Sequence, residues 1–205
     1  MTETMDNISP QVSKPSEIET DRLEALSDGV MAVIMTLMAF SLRVPAQANF
    51  KALGHVTPHI LVYILSFAFL GIYWNNHHHL LRATPHIDGV VMWANLHLLF
   101  WLSLMPFATN WMAEHTQSSP PVALYGCICF AAALAYKLLV QAIIRANGRY
   151  ATIGTAIGND FKGVISVVIY LVGVGLAFVL TPLSFAVYAG VSIIWIIPDK
   201  RLSSL

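Results

Sequence analysis

Charge is what this sequence has least of. Its 205 residues include eleven Lys or Arg and eleven Asp or Glu, 11% in all with a net charge of zero, against roughly 25% charged in a soluble domain. A neutral chain offers no basic footprint, so nucleic acid is excluded as a partner. Cysteine is scarce too. Cys127 and Cys129 stand two apart in an apolar run, where a helix points them to different faces; a disulfide between them is excluded and small apolar filler is left. Also missing are a nucleophile elbow, a phosphate-binding glycine loop, C-x-x-C and H-E-x-x-H, so neither an enzyme nor a metal or cofactor site is expected.

Apolar residues, in contrast, make up 57% of the chain. They fall into six segments, at about 23–43, 58–80, 88–111, 121–145, 161–180 and 183–197. Most are long enough to cross a hydrocarbon core as helices. The punctuation is consistent: Pro45 ends the first, an amphipathic connection Ala46 to Val56 leads to Pro58, Pro85 and Asp88 open the third, and Pro120 and Pro121 open the fourth. Thr181 and Pro182 make a turn between the last two. The expected fold is all-α, a polytopic membrane protein with six transmembrane helices over residues 21–198. Residues 1–20, rich in acid and proline, read as a disordered tail, and 199–205 as a short C-terminal tail. With the N-terminus inside, eight Lys or Arg lie in inner segments and only Arg43 and Lys51 in outer ones. Both termini are therefore expected to be cytoplasmic, in the cell's plasma membrane.

The first segment is the unusual one. Arg22, Glu24, Ser27 and Asp28 crowd its mouth, and such groups are costly near lipid unless paired. Asp28 lies more than a turn inside the helix and wants a donor; Trp74, Asn76, His77, His78 and His79 end the second segment on the same side, and Asn95 and His97 begin the third. Three adjacent histidines point about 100° apart on a helix and do not converge on one ion. Further along, Val33, Leu37 and Phe40 stand at spacings of four and three and share one stripe. The stripe is either ordinary helix packing or the lining of a pathway formed by several copies. Thr36 can face the edge of that lumen or bond its own backbone at i−4.

The string RLEALSDGVMAVIMTL (22–37) resembles the first-helix signature of the endosomal and lysosomal potassium channel family: arginine, three residues, then phenylalanine, serine and aspartate, with Leu26 here at the phenylalanine position. YWNNHHHLL (73–81) and NLHLLFWLSLMPFAT (95–109) are similar to the second and third helices of prokaryotic members. The resemblance implies a homotetramer in the lipid bilayer, one six-helix unit per chain, with a central pore lined by the first helix and potassium as the permeant ion. It places Val33 as the innermost bulky apolar layer, Leu37 and Phe40 as the layers above, and Thr36 near the selectivity region. Arg22, Ser27 and Asp28 become a structural network with Trp74 and with His77 or His78. Val33 is smaller, and Phe40 bulkier, than is usual in the family.

The expected activity is a passive cation channel, modestly selective for potassium over sodium, with apolar rings as its constriction. Potassium sheds its water more readily than sodium, so a nonpolar neck can favour it. A proton-coupled or small-solute transporter would want a midplane acid or a broken helix with an inverted repeat; of the mid-membrane residues only Lys137 is charged. A non-conducting membrane scaffold is the third alternative.

Overall fold

A computed structural model describes residues 15–148 and 161–196. The helices are α1 (Pro15–Phe40), α2 (Phe50–Arg82), α3 (Gly89–Ser103), α4 (Met105–Glu114), α5 (Ser119–Asn147), α6 (Phe161–Ala177) and α7 (Thr181–Ile196). There is no strand among the described residues. Residues 149–160 of the expected connection 146–160, residues 1–14 of the N-terminal tail and the whole of the C-terminal tail lie outside them.

Four spans are long and apolar enough to cross a membrane: Thr20–Phe40, Phe50–Arg82, Gly89–Glu114 and Ser119–Asn147. α6 and α7 are apolar but shorter. α1 packs on α2, α3 and α4, while α5 packs on α3 and α4 and carries α6.

Several boundaries differ from the sequence expectation. α1 begins at Pro15, so residues 15–20, expected in a disordered tail, are helical. α1 ends at Phe40, three residues early; Ser41 turns its hydroxyl onto the Met38 carbonyl at 2.7 Å, and Pro45 disfavours helix before it.

α2 starts at Phe50 and carries Pro58 inside it. Asn49 caps it, its Oδ1 accepting from Ala52 N at 2.8 Å, and the helix continues through Pro58 although that residue removes one backbone bond. The third segment breaks into α3 and α4 at Leu104 because Pro106 cannot donate backward. Leu104 keeps helical angles, φ −83° and ψ −10°, so the span bends without unwinding. Asp88 caps α3 as expected, accepting from Val91 N at 2.8 Å.

Side-chain amides and hydroxyls tie the bundle. At the end of α5, Gly148 takes φ +87°, a left-handed conformation that suits glycine. There Asn147 exchanges two hydrogen bonds with the His86 backbone: His86 N donates to Oδ1 at 3.0 Å and Nδ2 donates to the carbonyl at 2.9 Å. Tyr188 of α7 is buried between α5 and α6, donating to the Val122 carbonyl at 3.2 Å. Gly126 and Gly173 make room for it; a Cβ on Gly126 would lie 2.0 Å from the Tyr188 hydroxyl.

Candidate functional site

α1 has two faces. Leu23, Ser27, Met31, Ile34 and Met38 recur every three or four residues and are all buried, as the core side of an amphipathic helix requires. On the opposite side Val33 is 58% exposed, Leu37 53% and Phe40 81%. The stripe therefore does not pack within its own chain. Arg22, Leu26, Gly29 and Thr36 share the exposed side, and a Cβ on Gly29 would meet nothing within 4 Å. Thr36 donates to the Ala32 carbonyl at 2.8 Å while exposed. Its proton is committed to the backbone, and its oxygen lone pairs stay free to accept.

The polar end of α1 is held by two sets of contacts. In the buried set, Ser27 Oγ donates to the Leu23 carbonyl at 2.8 Å and accepts from Asn95 Nδ2 at 2.9 Å. Asn95 Oδ1 lies 2.6 Å from His77 Nε2. A carbonyl oxygen only accepts, so Nε2 carries the His77 ring proton. Ser27, His77 and Asn95 are all buried, and this chain joins α1, α3 and α2 where an unpaired polar group would be costly.

In the outer set, Trp74 Nε1 donates to Asp28 Oδ1 at 3.0 Å, and His78 Nδ1 sits 2.6 Å from Glu24 Oε1. The sequence left open which of His77 and His78 joins the network; the structure uses both, toward different partners. His79 stacks edge-on against His78, and His97 accepts from Trp101 at 3.0 Å. Arg22 departs from the expectation. It is exposed and has no hydrogen-bond or ion-pair partner among the described residues of its own chain, because its position falls on the open stripe rather than on the buried side with Ser27.

Two features went unread in the sequence. Glu24 is a partner of His78, which only the i,i+4 spacing with Asp28 hinted at. Toward the Phe40 end of α1, Thr109 donates to Ser66 Oγ at 2.8 Å and also lies 3.7 Å from Met38 Sδ, while Ser66 reaches the Tyr125 hydroxyl at 3.2 Å. This cluster joins α2, α4 and α5 behind α1, and no spacing rule links residues so far apart in sequence. At the far end Arg43 pairs with Glu114 at 2.6 Å, exposed.

Comparison with known proteins adds to this geometry. A family model described as endosomal/lysosomal potassium channel TMEM175 matches residues 22–106, from Arg22 to the α3–α4 break. A potassium channel of Chryseobacterium sp. (strain P1-3) is 45% identical over 181 residues, covering 88% of this chain and 94% of its own. One from Streptomyces collinus is 30% identical over 181 residues, covering 83% and 88%. The crystal structure of a lysosomal potassium-selective channel TMEM175 homolog from Chamaesiphon minutus matches with a TM-score of 0.77 at 27% identity, covering 88% of this chain and 97% of that one. With a relative this similar along nearly its whole length, and the Arg22–Asp28 string inside the matched region, the chain belongs to the TMEM175 potassium channel family, among its prokaryotic members.

Proposed function

We propose that copies of this chain assemble as a homotetramer around a passive, potassium-favouring cation pore lined by the exposed stripe of α1. The observation that carries this reading is the division of α1: one face wholly buried in its own chain, the other open and bearing Val33, Thr36, Leu37 and Phe40. The open face of α3 and α4 is a useful contrast. It presents Trp93, Phe100 and Phe107, bulky rings suited to lipid, whereas α1 presents glycine, alanine and a hydroxyl between well-spaced apolar side chains.

Four copies of each layer would make apolar rings narrow enough to strip water from a passing ion. The relatives named as potassium channels support the choice of ion. The free lone pairs of four Thr36 hydroxyls would offset part of the dehydration cost, which is smaller for potassium than for sodium. Arg22, on the same stripe, is then placed to meet a neighbouring copy. The charge bias of the loops supports cytoplasmic termini in a plasma membrane. A transporter reading gains no support from the α3–α4 break, since Leu104 keeps helical angles there.

Single-channel recording on Val33→Ser, Leu37→Ser and Phe40→Ser tests the lining ring by ring. Each should raise conductance and weaken the preference for potassium. Unchanged currents in all three would remove α1 from the pathway.

A further inference from the structure

The polar end of α1 holds a second constellation that ion conduction does not use. Glu24 and Asp28 are one turn apart on α1, and His78 reaches them from α2. One ligand-type atom from each of the three lies within 4.8 Å of the others, and all three residues are partly buried. We propose that Glu24, Asp28 and His78 form a binding site for a transition-metal dication of the zinc class, clamping α1 to α2.

Two carboxylates at i,i+4 share a helix face, and an imidazole beside them selects borderline metals over magnesium or calcium, which prefer all-oxygen shells. Three protein ligands leave a position for water. The three consecutive histidines do not supply this site together. His77 is spent on Asn95, and His78 alone turns to α1.

The groups around the site are already oriented. Trp74 donates to Asp28 Oδ1 at 3.0 Å, fixing the carboxylate while leaving Oδ2 available. Its indole stacks on the His78 ring, with centroids 5.8 Å apart and planes 20° from parallel. A cavity of about 230 Å³ adjoins the site, lined by Thr20, Asp21, Glu24, Arg82, Thr84 and Pro85, and gives an ion a way in.

Arg82 is the cation that reaches His78, its Nη1 3.5 Å from His78 Nε2. While Arg82 donates there, the ring proton sits on Nδ1, facing Glu24. A metal on Nδ1 requires that proton on Nε2, so Arg82 and the metal oppose each other through the two nitrogens of one ring. Replacing Arg82 should therefore tighten metal binding, an effect that general damage to the fold would not produce.

The test is calorimetric titration of the purified full chain with zinc chloride in metal-free buffer, so it reads binding and needs no ion flux. The expected result is one saturable ion per chain, indifferent to excess magnesium. Affinity should fall at least about tenfold in E24Q and in H78Q and rise at least about threefold in R82Q. No saturable zinc binding to the unaltered chain, or equal affinity in the unaltered chain and all three variants, overturns the proposal.

Discussion

Along one face of α1 the side chains of Ser27, Met31, Ile34 and Met38 are buried against three other helices, while Val33, Leu37 and Phe40 on the other face remain open. Both faces are largely apolar, so hydrophobicity alone does not separate them. What separates them is partnership. The buried face carries methionines, which fill irregular gaps, and Ser27, whose hydroxyl has both a donor and an acceptor partner within the bundle. The open face carries small residues between bulky ones and ends in an arginine without a partner among the described residues of its own chain. A helix built to hold a subunit together needs only the first kind of face. The second implies something outside the chain.

The largest expected effect is on the buried side. Asn95→Leu strands the buried His77 Nε2–H and takes away the donor to the Ser27 hydroxyl, which keeps its own bond to the Leu23 carbonyl. An unsatisfied buried donor costs about 1–3 kcal/mol, so the purified variant should melt well below the parent or fail to give a single species on gel filtration. An unshifted melting temperature would mean that the Ser27–Asn95–His77 chain contributes nothing.

Next comes a matched pair one half-turn apart. Met31→Ala empties a fully buried site and should cost about 2–5 kcal/mol, read as a lowered melting temperature. Val33→Ala, on the open face, should change the stability of the detergent-solubilised chain by within about 0.5 kcal/mol. Equal losses in the two would dissolve the distinction between the faces. Smallest of all is Arg43→Ala, which breaks an exposed ion pair worth about 0–1 kcal/mol and should leave the melting temperature nearly in place. A large drop would show that the Phe40 end is held as firmly as the Asp28 end.

Much of the fold was legible because apolar length and proline placement are local signals. All six apolar segments correspond to helical spans, and Asp88 caps α3 where its position before an apolar run suggested. The errors also have local causes. Pro58 reads as a helix start by its usual preference, yet α2 is capped earlier, at Asn49, and runs through it. Pro106 marks a break that hydropathy cannot see, and residues 15–20 are helical in a stretch whose acidity suggested disorder. For the candidate site, spacing grouped Val33, Leu37 and Phe40, and the charged mouth of α1 indicated a need for partners. Which partners was not legible. Glu24 to His78, Ser27 to Asn95, and Ser66 to Thr109 and Tyr125 are contacts across helices, set by how the rods rotate against one another. Arg22 was grouped with Asp28 by closeness in sequence, although a six-residue separation puts them on different sides of the helix.

Potassium uptake into liposomes holding the purified chain, with matched sodium and protein-free controls, tests the central claim most directly. The α1 pore predicts flux that favours potassium in the parent, with the preference weakened by Phe40→Ser. Equal potassium and sodium flux in the parent, or a preference left intact by Phe40→Ser, would contradict it.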